Sequence, residues 1–210
     1  MPRQGRLEYQ RIIVGYHGCD QETAEEVLHN GEHLKPSDND YDWLGEGIYF
    51  WEFAPRRALQ FAGEKRDKRQ KIKSPAVLGA YINLGRCFDL TDTEHTRQIS
   101  EAFDRWREPY DEADVPMPEN KSLGSDYDDL ILRYRDCAVI NWYMTEIMDN
   151  QADGEYFFQT VRGVFEEGGP AFEGSAIQKK AHAQVAVRDP ECIMGYFLPT
   201  TFFDEGVNHE

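Results

Sequence analysis

The chain has 210 residues, 40% hydrophobic and 30% charged, which is enough apolar material for one domain with a packed core and excludes wholesale disorder. Its 23 Lys and Arg stand against 39 Asp and Glu, a formal charge of −16; such a surface repels phosphate backbones in general, spares local basic grooves, and favours a positively charged partner. Cys19, Cys87, Cys137 and Cys192 form no CxxC pair, a spacing that fits reduced thiols better than a disulfide framework or a zinc knuckle.

The N-terminal residues 1–10 form a polar arm without the apolar stretch of a signal peptide. No apolar run reaches the ~20 residues of a membrane span, so the expectation is a cytoplasmic protein with no membrane partner. Residues 11–17 read as a short strand that ends in a polar residue and Gly18. Asp20 is placed to cap a helix to about His29, and Gly31 to stop it. Residues 35–46 are rich in Pro, Ser, Asp, Asn and Gly and read as a loop. Residues 47–51 are apolar and β-favouring, a second strand.

Pro55 suits the first turn of a helix with Ala58, Leu59, Phe61 and Ala62 as its apolar stripe. That helix ends in a basic run, 65–73. A strand over 76–84 follows, then a helix from about Thr93 to Trp106, with Thr93 or a neighbour as its cap. Residues 108–125 carry three prolines and many acids and read as an exposed loop. Residues 126–150 have apolar positions at helical spacing and are expected to form the longest helix. Strands are expected near 157–165, 182–188 and 193–198, and a loose tail at the C-terminus.

This order predicts an α+β fold with a mixed or largely antiparallel sheet. The expected organisation is a single domain over 11–199, with the helical segment 94–150 inserted between early and late strands, and a tail at 200–210. With 4 Trp, 11 Tyr and 12 Phe, the core should be rich in rings.

Three pieces place polar or aromatic residues at strands: Gly15-Tyr16-His17-Gly18, then Gly47-Ile48-Tyr49-Phe50, then the run 182–190 from His182 through Gln184 to Asp189-Pro190. In these the chain resembles the diphtheria-toxin-like branch of the ADP-ribosyltransferases, which includes the poly(ADP-ribose) polymerases. That branch carries a His-Tyr-Glu triad: the His in Tyr-His-Gly after the first strand, the Tyr in a Gly-x-Tyr-Phe strand, the Glu opening a late strand. The resemblance runs in order from residue 12 to about residue 198.

The resemblance implies an ADP-ribosyltransferase-like split β-sheet core with flanking helices, NAD⁺ as co-substrate and no metal. It implies that His17 hydrogen-bonds a ribose hydroxyl, that Gly18 leaves room for the nicotinamide amide to reach backbone groups, that Tyr49 stacks on the nicotinamide ring, and that Gly47 is among the cofactor-binding residues. Where the family has Glu, this chain has Gln184, which can hold a hydroxyl but supplies no negative charge. Single transfers are therefore implied rather than polymer synthesis.

Strand alternation puts His182 and Gln184 on one face and Ala183, Val185 and Val187 on the other. In related transferases the place two residues before the catalytic position helps select the acceptor, which makes His182 and the Gly-rich segment 166–180 acceptor-side candidates. Glu173 in that segment is a candidate for the missing carboxylate.

Each residue also has a plainer reading: His17 as a hydrogen-bonded strand-end histidine, Tyr49 as a core ring, Gln184 as an exposed strand residue. His29 and His33 have metal-ligand spacing, but Gly31 separates them and no third ligand is evident. The basic run is either a solvated helix end or a landing site for RNA or DNA.

Three functions follow in order. The first is mono-ADP-ribosylation of a protein or nucleic-acid acceptor by a toxin-like or defence enzyme, with a neutralising antitoxin protein as a possible partner. The second is a catalytically silent sensor of NAD⁺ or ADP-ribose. The third is RNA 2′-phosphotransfer.

Overall fold

The computed structural model describes residues 9–69, 72–124, 129–149 and 158–199. The expected C-terminal tail and the first eight residues of the polar arm lie outside them. In chain order the elements are β1 (Tyr9–Asp20), α1 (Gln21–Asn30), β2 (Ile48–Glu52), α2 (Pro55–Arg69), β3 (Pro75–Gly85), β4 (Cys87–Asp89), α3 (Thr93–Ala113), α4 (Tyr134–Asp149), β5 (Thr160–Phe165), β6 (His182–Val187) and β7 (Ile193–Phe197). The strands form a seven-stranded sheet in the order β4-β5-β6-β2-β1-β3-β7. Only β4 and β5 among the paired neighbours run parallel, so the fold is α+β with a mixed sheet.

Local chemistry sets most boundaries. The Asp20 side chain accepts from Glu22 N and also from Lys73 N and Ser74 N, so it caps α1 and ties it to the approach to β3. Gly31 closes α1 at φ 68, a left-handed value that glycine adopts without penalty. Pro55 opens α2, where its missing N–H costs no helical bond. Asp92, the neighbour of Thr93, caps α3 through a 2.9 Å bond from Glu94 N.

The sheet is covered on both faces. On one, Ala24 and Val27 of α1 pack with Ile13, Ile48, Phe50, Leu78 and Val185. On the other, Ala102 of α3 and Ile140, Tyr143 and Met144 of α4 pack with Val161 and Ala186. Beside them on that face, Ala58 of α2 packs with Tyr16, Trp51 and Val77. The sheet is narrowest in the middle: β1 pairs with β3 from Asp20 to Ile12, whereas β1 and β2 pair only at Gly15↔Glu52 and Tyr16↔Trp51.

Several boundaries differ from the sequence expectation. β1 begins at Tyr9, inside the expected arm, and continues through His17 and Gly18 to Asp20, because β3 supplies a partner along that length. β4 was not expected; it is a three-residue strand recruited by β5, distant in sequence. α3 runs to Ala113 with Pro109 inside it. That stretch is exposed, so the carbonyl that Pro109 leaves without an N–H can face water.

α4 starts at Tyr134 and has 16 residues, so α3, with 21, is longer. Leu132 is drawn out of helical geometry by a two-way backbone bridge with Lys121. The segment between α3 and α4 is therefore irregular wherever it is described.

Candidate functional site

His17, Tyr49 and Gln184 lie on β1, β2 and β6, and β2 sits between the other two in the sheet. They do not share a face. His17 pairs with Leu78 and its ring meets Phe50 edge-on at 5.8 Å, which places it on the α1 side. Tyr49 pairs with Ala186, and Trp51 with Gln184, which places Tyr49 and Gln184 on the opposite side.

The two sides connect through the backbone where β1 and β2 part. His17 Nδ1 lies 2.7 Å from the Tyr49 carbonyl oxygen. A carbonyl only accepts, so Nδ1 carries the proton and donates, and Nε2 is left with its lone pair. Burial pushes the imidazole pKa down to about 4 against the raising effect of that bond, and the nearby Lys65 ammonium pushes the same way. His17 is thus a neutral ring of fixed tautomer, able to accept a hydroxyl proton through Nε2.

Tyr49 uses its hydroxyl to hold the loop that precedes it, donating to Gly45 O at 2.7 Å and accepting from Leu44 N at 2.9 Å. Burial raises its pKa well above the ordinary phenol value. Its ring packs against the core beneath α3 and α4. Gly47, with φ 156, runs close to β6; a Cβ there would lie 3.0 Å from Val187 O.

Gln184 is 7% exposed, and its side-chain oxygen accepts a 2.6 Å bond from the Trp43 indole. The same indole lies over Gly163, where a Cβ would come within 2.7 Å of the ring. Consecutive loop residues 43–45 thus join Gln184 to Tyr49, and the Tyr49 backbone joins His17. The loop is anchored from behind: Asn141 Oδ1 accepts from Glu46 N and Arg188 Nη1, and Arg188 also donates to Glu46 O.

Gly18 has a packing role. A Cβ there would lie 2.1 Å from Ala58 O, so its missing side chain lets α2 rest directly on β1.

His182 sits on the same face as Gln184, its ring stacked on Phe165 at 5.7 Å and tilted to Trp51 at 6.1 Å. Its Nδ1 donates to Lys180 O at 2.6 Å, and burial lowers its pKa. Glu173 is exposed in the turn closed by Ser175 N to Phe172 O. The buried carboxylate of that segment is Glu167, ion-paired to Arg57 Nη2 and hydrogen-bonded by Arg57 Nε at 3.1 Å.

Trp43, Arg57 and Glu167 were not singled out from sequence. A tryptophan inside an otherwise polar loop was the available signal for Trp43. Among the described residues no three His, Cys, Asp or Glu cluster so as to hold a metal ion, and no helix is long and apolar enough to cross a membrane.

No protein-family model matches the chain, and no solved structure matches it. It is similar to an uncharacterized protein of Methanocaldococcus jannaschii, 34% identical over 91 residues, covering 42% of this chain and 42% of that protein. The chain thus spans less than half the length of that curated relative.

Proposed function

We propose that this protein is an NAD⁺-dependent mono-ADP-ribosyltransferase. The observation that carries the reading is the linkage of its three motif residues where β1 and β2 part. His17 lies on one face of the sheet and Tyr49 and Gln184 on the other, so that NAD⁺ would have to reach both sides of that junction. His17, Tyr49 and Gln184 are far apart in the chain yet fall on adjacent strands, joined by hydrogen bonds through loop residues 43–45 and the Tyr49 carbonyl. Their order and strand context follow the His-Tyr-Glu pattern of the diphtheria-toxin-like branch.

In the reaction, the bond between the nicotinamide nitrogen and ribose C1′ breaks with its electron pair going to the nitrogen. This neutralises the pyridinium and leaves positive charge on the ribose. An acceptor nucleophile then bonds C1′ and gives up its proton to solvent. His17 Nε2 accepts from a ribose hydroxyl, and the neutral state of its ring keeps a second positive charge away from the ribose.

Gln184 positions a hydroxyl without a carboxylate's field, which limits the stabilisation of the developing charge. The carboxamide is already engaged by Trp43, so substrate must share that oxygen, use the amide N–H₂, or displace the indole. Slow single transfer follows from this chemistry, and the acceptor is a protein or a nucleic acid.

A sensor that binds NAD⁺ or ADP-ribose without consuming it is the second reading, favoured by the same absence of a carboxylate at Gln184. One experiment separates them: incubation with NAD⁺ labelled in the adenylate portion, following nicotinamide release and label transfer to extract. Release that is abolished in Gln184→Ala supports the transferase. A rise in melting temperature with no release supports the sensor, and neither effect sinks both.

A further inference from the structure

The start of β6 borders a cavity of about 450 Å³ walled in part by the acceptor-side candidates Lys179, Lys180 and His182. Its walls are the turn between β2 and α2, with Phe53, Arg56 and Arg57, and the residues entering β6, with Lys179, Lys180 and His182. Four of these six are cations; Arg57 is ion-paired to Glu167 and Lys180 to Glu64 at 3.0 Å, so the excess of positive charge rests chiefly on Arg56.

Further features give the cavity the character of an anion site. The first turn of the 15-residue helix α2 faces it and contains no acidic residue, so its N–H groups and dipole favour negative charge. Arg56 is exposed and has no ion-pair partner among the described residues. Arg57, which lines the cavity, has its Nη1 buried without an acceptor, and its guanidinium lies 5.8 Å from the Trp51 ring centre in the core behind it. Nη1 is an N–H donor, so only an acceptor can complete it.

Phe53 adds an apolar element at the rim. It is a non-glycine residue at φ 51, held there by a 3.0 Å bond from its N–H to Val14 O, and it is 65% exposed. A left-handed phenylalanine is strained, and a ring turned to solvent recovers little of this by packing. A flat aromatic face beside a cationic hollow is what a nucleobase stacks on.

We propose that this cavity binds one nucleotide unit of a single-stranded nucleic acid. The phosphate sits against Arg56, Lys179 and the first turn of α2, and the base lies on Phe53. His182 connects the cavity along β6 to Gln184, two residues on, so the strand is the acceptor class of the activity proposed above. The word acceptor rests on that reading; the binding does not. The acidic remainder of the surface keeps the footprint short, so few phosphates are contacted.

The test is fluorescence anisotropy of fluorescein-labelled ten-nucleotide oligo(dT) and oligo(U) with the full chain and no NAD⁺. Saturable binding with a shallow salt dependence is expected, about two phosphates' worth of counterion release. The double variant Arg56→Glu/Lys179→Glu should raise Kd at least about tenfold. Phe53→Gly, which suits the left-handed backbone, should raise it about fivefold without lowering the melting temperature.

Arg107→Glu, on the exposed side of α3, is the control for a charge reversal elsewhere on the surface and should leave Kd unchanged. Absence of binding to both strands overturns the proposal. So does equal weakening by Arg107→Glu, or displacement of the strand by NAD⁺ in competition for Arg56, which would make the cavity a dinucleotide site. Nicotinamide release, followed on the same variants, keeps the two readings apart. Release without strand binding leaves the transferase standing, and strand binding without release leaves the nucleotide site standing.

Discussion

The indole of Trp43 donates a 2.6 Å hydrogen bond to the side-chain oxygen of Gln184, a contact that spans 141 positions of sequence. It joins the polar loop before β2 to the residue that the proposed transferase would use to hold the ribose. Because Leu44 and Gly45 bind the Tyr49 hydroxyl, the loop also fixes the orientation of the Tyr49 ring. Substitutions in this loop should therefore alter both ends of the site.

Replacing Trp43 by Phe keeps the ring but removes the donor, leaving the Gln184 oxygen buried and unpaired. The expected loss is about 1–3 kcal/mol of folding stability, read by urea denaturation. Trp43→Phe/Gln184→Leu should recover part of that loss, since neither partner is then left unsatisfied. Equal stability of Trp43→Phe and the parent chain would mean the bond contributes nothing.

Gln184→Glu tests the electrostatic argument directly. The carboxylate can still accept from Trp43, and it supplies the negative charge that the ribose develops against. Nicotinamide release should rise at least about tenfold, equivalent to about 1.4 kcal/mol off the barrier. Burying the charge should lower the melting temperature. An unchanged rate would show that charge at this position is irrelevant to the reaction.

His17 should titrate near its displaced value, about 4, rather than near the ordinary 6.5. A folded-state pKa below the unfolded value means the unfolded chain binds the proton more readily between the two. This contribution to stability is therefore complete above about pH 6.5 and lost as pH falls towards about 4. Nitrogen-15 NMR should show a neutral ring protonated at Nδ1 at pH 6, and a midpoint near 6.5 would refute the assignment.

Arg162 sits between Glu52 and Asp89, donating to Glu52 at 2.6 Å and to the two Asp89 oxygens at 3.2 and 3.3 Å. Its side chain is 14% exposed, and those of Glu52 and Asp89 are 8% and 4%. Arg162→Met leaves two buried carboxylates facing each other without a cation, at a cost of about 3–5 kcal/mol. The loss should shrink as pH is lowered and the carboxylates protonate; a loss independent of pH would point to packing instead.

Gly18→Ala should destabilise the chain by about 1–3 kcal/mol, because the added Cβ would press on the Ala58 carbonyl and lever α2 off β1. Thermal unfolding measures this. If NAD⁺ binding is lost while stability is retained, Gly18 faces the cofactor instead of the helix.

Legibility in the sequence followed the range of the interaction concerned. Asp20, Gly31 and Pro55 act on their own neighbours, so the ends of α1 and the start of α2 could be read directly. β4 escaped notice because a three-residue strand exists only through β5, which follows it by some seventy positions. Pro109 reads as a stop, yet on an exposed helix its missing N–H is tolerated. Leu132 belongs to a helical pattern, but its backbone answers to Lys121.

The site divides in the same way. The three motif residues are visible because each sits in a short, distinctive run of residues within a strand. Their separation between two faces is set by pairing register, which becomes visible only when Tyr49↔Ala186 and His17↔Leu78 are known. Glu173 and Glu167 look alike in a Gly-rich segment; only the approach of Arg57 identifies Glu167 as the buried one.

The strand order also bears on biosynthesis. β3 waits for β7 on one side of the junction, and β2 waits for β6 on the other. A nascent chain that has emerged only as far as α4 therefore has no partner for the outer edge of either strand. Such edges are open to pairing with other chains. Premature termination before residue 193 should yield insoluble product even though most of the helices are already complete, and assembly should begin in earnest only once synthesis is nearly finished.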